Sequence, residues 1–429
     1  MSRNSPSEAE VVDSVTSVNP RGDSDIQSTS MNVGDDLPSV HQTSACKCQP
    51  ETDTTKNIII CIDGTASRLG LERTAVLDLY RHIKKNGHEE RQIAFYHNGM
   101  GTVPALPSWR SFEYWKQILN SKIDLAIGWD FHKTIQQAYI WLSNNYVDGD
   151  RVYLFGFSRG AYQVRVLAAI IASLGVPFPN NEAQVPIAYQ LYINMHAKHQ
   201  PDAMILTTLF KETFASRTVP VHFLGAWDSV SSIGLRANGP PIAPDSMNNI
   251  CFFRHALALD ERRVKFMPTY AQGPYPRADH ARSMQIKEVW FPGTHRDMGI
   301  RTPDNLLADL SFRWMHSEAA HCGLRLQWID PIEGPLALPE DSMKHMWRLM
   351  ELLPIRRLAY KGDKTTLIPN YARGRPVFPG QMIHSRVADM GPMYDPRAQG
   401  LDIARIRDKR RTAAIDELWD SSDLMRVRS

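Results

Sequence analysis

The sequence contains no apolar run long enough to cross a bilayer. Its longest, VLAAIIASLGVPF from Val166 to Phe178, falls short of the roughly 20 residues a membrane helix needs and directly follows Arg165. The opening MSRNSPSEAEVVDS lacks the basic start and apolar centre of a secretory signal, so the expectation is a soluble or at most peripheral protein of the cytoplasm. Neither sign of charge dominates: 49 Lys and Arg stand against 46 Asp and Glu, a formal +3, which excludes an obvious nucleic-acid surface. Cysteine is scarce and odd in number. Of Cys46, Cys48, Cys61, Cys251 and Cys322 only the first two are neighbours, and no later pair follows to complete a zinc site, so no metal and a reducing setting are expected. Aromatics are missing from residues 1–55, which are rich in Ser, Thr, Asp and Asn. Such a composition buries too little surface to offset its ordering entropy and reads as a disordered tail.

What is present begins at Lys56. The run NIIICIDG, ending at Gly64, has the continuous β-branched character of a strand buried on both faces of a parallel sheet. Further short apolar runs alternate with helical patterns: QIAFYH at 92–97, a helix around Phe131–Asn145, RVYLFGF at 151–157, a helix after Ser158, PVHFLGAWD at 220–228 and IKEVWFPGTH at 286–295. This alternation predicts an α/β fold with a doubly wound, mainly parallel sheet, whose ligands lie at the carboxyl ends of the strands. The core is expected over 56–330, with a Pro-punctuated helical lid at about 177–219 and an accessory helical region over 331–429. The latter ends in a basic helical stretch, IARIRDKRRTAAIDELW.

Within this frame Gly156-Phe157-Ser158-Arg159-Gly160 matches the G-x-S-x-G nucleophile elbow, with a strand before it and a helix after it. The serine of such a turn holds strained backbone angles, and the glycines let strand and helix approach closely. The following helix directs N–H groups and its positive dipole end at the site, which makes the Arg159 amide one expected oxyanion donor. Gly64 or Thr65, after the first strand, is the candidate for the other. A serine hydroxyl needs a base, and the base an orienting carboxylate. Asp228 closes the strand VHFLGAWD and His295 follows EVWFPGT, so both fall at the strand edge that carries Ser158, in the order this fold uses. An aspartate after a strand also commonly binds a turn amide, and Asp297 is a rival acid, though two residues from the histidine it is better placed to fix the loop.

Other motifs weigh less. His295-Arg296-Asp297 matches a kinase loop tripeptide, but the Gly-rich loop, strand lysine and D-F-G segment are missing. Asp63-Gly64-Thr65 resembles the haloacid-dehalogenase phosphatase motif, yet Cys61 stands where its nucleophilic aspartate belongs. Gly99-Met100-Gly101 has no third glycine opening a helix, which argues against a dinucleotide site.

With these residues laid out, the chain resembles the uncharacterised α/β-hydrolases that include the catalytic domain of Tle1-type phospholipase effectors of bacterial type VI secretion. The resemblance runs from about Lys56 to Arg386, through IIICIDGT, FYHNGMGT, YVDGDRVYLFGFSRGAYQVR, FLGAWDSV, RHALALDERR, FPGTHRDMGI and IHSRV. It implies an α/β-hydrolase fold with Ser158, Asp228 and His295 as the triad, and esterase or phospholipase action on lipids without a cofactor. Ala66-Ser67 stand where the family has Trp-Asn, and Gly299-Ile300-Arg301 where it has a glycine run, both near the expected mouth of the site. The polar tail and low cysteine content are similar to fungal relatives. The function expected is a serine hydrolase of lipid or other carboxylic esters, with possible peripheral membrane contact. The alternatives are a catalytically weak relative that binds a protein through its tail or C-terminal region, and a phosphatase using Asp63.

Overall fold

The computed structural model describes residues 46–407 and 424–426 apart from 53, 65–72, 86–90, 100–120, 197–201, 216–218, 234–236, 239, 241, 243, 272–284, 303–304, 331–335, 344–346, 349–350, 353–356, 359–364, 379–380 and 405. Thr65, the tail before residue 46 and most of the basic stretch at 403–419 therefore lie outside the described residues.

The β-branched run after Lys56 forms β1 (Asn57–Ile62), buried along its whole length. Its side chains alternate, with Ile58, Ile60 and Ile62 entering one core cluster and Ile59 and Cys61 another. A strand apolar on both faces, as β1 is from Ile58 to Ile62, is stable only when both faces are covered, and here helices cover both. After β1 come α1 (Ala75–His82), β2 (Gln92–His97), α2 (Ser121–Asn145), β3 (Arg151–Phe157) and α3 (Arg159–Leu174). The chain continues through α4 (Val185–Met195), α5 (Ala203–Phe214), β4 (Val221–Trp227), β5 (Ile250–Ala258), β6 (Ile286–Phe291), α6 (His295–Gly299) and α7 (Leu306–His321). Two short strands, β7 (Met382–His384) and β8 (Leu424–Arg426), complete the sheet.

Across the sheet the order is β8-β7-β6-β5-β4-β3-β1-β2, and every pairing is parallel except that of β7 with β8. The doubly wound α/β class read from the sequence is the class observed. Strand order reverses at β1 and β3, a switch point of the kind at which open α/β sheets hold their ligands. Helix α3 leaves β3 beside that point and is apolar almost all round, which suits its burial between the sheet and α2, α4 and α5. On the opposite face α1 and α7 bury Val76, Leu79, Phe312 and Met315 against Tyr153, Phe155 and Phe223.

The stretch expected as a lid holds α4 and α5. Val185, Ala188, Tyr189, Tyr192 and Phe210 join the same core cluster as α3, so these helices are part of the helical layer on that face. Beyond residue 330, where helices are expected, the described residues hold a short helix at Arg386–Asp389 and also add β7 and β8 to the sheet. Three-residue strands carry too little period to be read from sequence. Residues 46–52 also depart from the expected tail: Cys46 and Cys48 pack against the core, and Glu51 Oε2 accepts from buried Arg151 Nη1 at 2.8 Å.

Candidate active site

The turn between β3 and α3 is tight because two glycines permit it. A Cβ on Gly156 would lie 2.5 Å from the carbonyl carbon and oxygen of Gly160, and one on Gly160 would overlap the carbonyl oxygen of Ile62. Between them Ser158 sits at φ 58° and ψ −120°, a left-handed conformation that costs a non-glycine residue free energy and is characteristic of functional turns. Replacing Gly156 by Ala should push α3 off the sheet. The expected cost is about 1–3 kcal/mol, read as a lower urea midpoint, together with loss of any activity that needs Ser158.

Ser158 Oγ lies 2.8 Å from His295 Nε2, and His295 Nδ1 lies 2.5 Å from Asp228 Oδ2. The three residues come from the carboxyl ends of three different strands. Asp228 follows β4 with φ 44°, its N–H donating to the Ala256 carbonyl at 2.8 Å, so it too holds a strained angle. His295 opens α6 and is wedged between two rings: Phe157 stacks on it at 5.0 Å between centroids and Phe266 meets it edge-on at 4.8 Å. Its amide donates to Glu261 Oε2 at 3.2 Å. This leaves the imidazole little freedom except along the line from Asp228 to Ser158.

The other side of Asp228 is held by Arg375, whose Nη1 and Nη2 donate to Oδ1 and Oδ2 at 2.7 and 2.9 Å. Both residues are fully buried. Burial alone would raise the Asp228 carboxyl, but the Arg375 charge, helped by the hydrogen bond from His295, holds it well below the usual carboxylate range. Burial pushes His295 below the ordinary histidine value, against the pull of the Asp228 carboxylate. The imidazole is thus neutral at neutral pH, with a proton on Nδ1 for Asp228 and a lone pair on Nε2 for Ser158.

A family model described as the catalytic domain of the Tle1-like phospholipase effector of the type VI secretion system matches residues 56–318. The chain belongs to this Tle1-like family. The uncharacterized protein YEL023C of Saccharomyces cerevisiae is 36% identical over 222 residues, which are 49% of this chain and 32% of the yeast protein. Among solved structures, an uncharacterized protein from Pseudomonas aeruginosa aligns with TM-score 0.37 and 16% identity, covering 64% of this chain and 46% of that one. The Tle1 effector bound to the VgrG spike aligns with TM-score 0.28 and 18% identity, covering 58% and 52%. The chain spans about a third of the yeast relative's length and about half of each solved chain.

The remaining residues singled out in this Tle1-like sequence divide clearly. Arg159 begins α3, where the amides of the first turn point out of the helix. The Gly64 amide donates to Asp63 Oδ1 at 2.7 Å. Asp63 is fully buried; its Oδ2 accepts from Tyr96 OH at 2.8 Å and from Thr74 Oγ1, and Thr74 in turn caps α1. Asp63 thereby joins the loop after β1 to the start of α1. Asp297 accepts from Thr294 N at 2.8 Å and from Asn305 Nδ2 at 2.8 Å, so its carboxylate secures the two ends of the α6 region and does not reach the His295 ring.

Sequence reasoning missed two groups beside the Tle1-like site. Arg375 lies 147 residues past Asp228, in a segment with no regular period. Glu261, within RHALALDERR, accepts from Arg263 Nε and Nη2 at 2.9 and 2.7 Å as well as from the His295 amide, and Arg263 holds its carboxyl down to about 2 despite burial. The available signal was the charge cluster in that otherwise apolar stretch. Cys46 and Cys48 require a correction. They do have partners, since His222 and Cys251 lie against them; these come from two separate strands rather than a later closely spaced pair.

Proposed function

We propose that this Tle1-like chain is a serine hydrolase that cleaves carboxylic esters of lipids through Ser158, His295 and Asp228. The observation that carries the reading is the unbroken line of hydrogen bonds, 2.5 and then 2.8 Å, from a buried carboxylate through one imidazole to a serine on a strained turn. His295 Nε2 takes the hydroxyl proton as Ser158 Oγ bonds to the ester carbonyl carbon. The carbonyl electrons pass to oxygen, where the Arg159 amide and the dipole of α3 stabilise the charge. The second oxyanion donor is proposed in the loop after β1, from the amide of Gly64 or Thr65. The tetrahedral intermediate collapses by breaking the carbon–oxygen bond to the alcohol, which leaves with the proton from His295. Water then attacks the acyl-serine, gives its proton to His295, and frees the acid and Ser158. Asp228 holds the tautomer and steadies the imidazolium in both halves. The lipid character of the ester rests on the phospholipase family to which the chain belongs.

A fluorophosphonate probe tests the nucleophile and a lipid panel the substrate. The expected results are one adduct mapped to Ser158 and release of fatty acid from phospholipid. No adduct would favour a catalytically weak protein-binding role, while magnesium-dependent release of phosphate would favour Asp63 chemistry. The pH profile is a further check. His295 acts only when neutral and burial lowers its pKa, so activity should persist as the pH falls and reach half its maximum below about pH 6.5, the value for an unperturbed histidine. A midpoint at or above 6.5 would count against His295 as the base.

A further inference from the structure

We propose that Cys46, Cys48, Cys251 and His222 bind a zinc ion in a closed tetrahedral site remote from Ser158. Their ligand atoms all lie within 4.8 Å of one another. Cys46 Sγ is 3.5 Å and Cys48 Sγ 3.3 Å from His222 Nδ1, and Cys48 Sγ is 3.9 Å from Cys251 Sγ. A zinc ion with Zn–S near 2.3 Å and Zn–N near 2.0–2.1 Å requires edges of about 3.5–3.8 Å between tetrahedral ligands, and the observed separations bracket that range. They are too long for a disulfide, whose sulfurs approach to about 2.05 Å.

The surroundings favour a cation over mutual thiol hydrogen bonds. His222 Nε2 lies 2.9 Å from the Cys322 carbonyl, which can only accept, so Nε2 carries the ring proton and Nδ1 presents its lone pair to the sulfurs. This is the outer hydrogen bond that orients metal-bound histidines. Cys46 and Cys48 both approach that one lone pair, and Cys251 closes on Cys48 beside it. The Lys47 backbone N–H donates to Cys251 Sγ at 3.1 Å, an arrangement that supports a thiolate. As the ion binds, the three thiols lose their protons to solvent and three metal–sulfur bonds form beside one metal–nitrogen bond. Three soft thiolates and an imidazole match the closed sets of structural zinc sites, which keep no position for water or substrate.

The position in the fold shows what the ion would hold. His222 and Cys251 are the second residues of β4 and β5 and are fully buried, while Cys46 and Cys48 precede β1 and are half-buried. The pairing of β3 with β4 shifts register between Val152 and Tyr153, whose partners Val221 and Phe223 leave His222 as the extra residue. Such a bulge re-aims a side chain. Six residues of extended strand, about 20 Å, separate His222 from Asp228, so the ion would pin the chain before β1 to the amino edge of the sheet while the Ser158 site occupies the carboxyl edge.

The test uses the full chain purified without chelators. Elemental analysis is expected to find about one zinc per chain, and a Cys46→Ser/Cys48→Ser variant to carry less than a tenth of that. Fluorophosphonate labelling should be unchanged in the variant, since neither cysteine belongs to the sheet or touches Ser158; this also shows that the variant folds. Cobalt added to zinc-free protein should give thiolate-to-cobalt charge-transfer bands and the intense visible bands of tetrahedral coordination, both missing from the variant. Zinc retained by the variant, native protein without metal whose thiols react freely, or a mass two hydrogens light with Cys48 joined to Cys251 would each overturn the proposal.

Discussion

Replacing Ser158 by alanine is expected to lower ester hydrolysis by roughly 10⁴-fold or more and to abolish fluorophosphonate labelling, with the urea midpoint unchanged or higher. The hydroxyl is the atom that would bond to the substrate, and its loss leaves His295 with no proton to take. The fold should tolerate the change because alanine keeps the Cβ and the turn, whose close approach is set by Gly156 and Gly160. Strained functional turns often limit stability, so deletion of the oxygen need not weaken the protein. His295→Ala should cost about as much, and the double variant little more than either alone, because the two side chains act as one unit. Labelling that persists in Ser158→Ala, or losses that multiply in the double variant, would show that the nucleophile lies elsewhere.

How much of this was legible in the sequence depended on whether a feature was local. The elbow could be read because a strand, two glycines and a helix are contiguous around Ser158, and the close approach of Gly156 to Gly160 is the physical reason both are glycine. The placement of Asp228 and His295 followed from one rule, that parallel strands bring their carboxyl ends to a common edge. At Gly64 the sequence did not show the partner of the amide: an Asp-Gly pair after a strand can close on itself, and the Asp63 carboxylate accepts from the Gly64 N–H. Arg375 could not be found at all, because its position depends on β7 joining the sheet beside β6 and on long-range contacts such as those of Arg375 with Ala258 and of Arg397 with Asp260. Asp260 accepts from Gly293 N, Tyr394 OH and Arg397 N at 2.8, 2.8 and 3.1 Å, which fastens this distal segment to the loop just before His295. Cys46 and Cys48 stood out in the sequence, but their meeting with His222 and Cys251 escaped for the same reason, with Cys48 and His222 separated by 174 positions.

Arg375→Leu is expected to be the most damaging single change outside Ser158, His295 and Asp228. Arg375 and Asp228 form a fully buried bidentate pair, and removing one partner of such a pair costs about 3–5 kcal/mol because the remaining charge has no solvent to turn to. The sign of the pH dependence separates this from simple loss of packing. In the native chain the Asp228 carboxyl is depressed, so its contribution to stability is present above the unfolded carboxylate value of about 3.9 and is lost as pH falls through the folded value. Without Arg375 burial is opposed only by the hydrogen bonds from His295 and the Ala258 amide, the folded carboxyl rises, and that contribution shrinks or reverses. The deficit in unfolding free energy should therefore be largest near pH 7 and narrow towards pH 4, as the folded variant takes up a proton on Asp228 that the native fold does not. Arg375 also donates to the carbonyls of Ala258 and Phe266; losing these bonds adds a cost that does not vary with pH. Turnover should fall with stability, since a protonated Asp228 no longer stabilises the imidazolium of His295. Arg375→Lys, which keeps the charge but not the fork, should recover part of both. A deficit of equal size at pH 4 and pH 7 would mean that Arg375 acts through packing and carbonyl contacts alone.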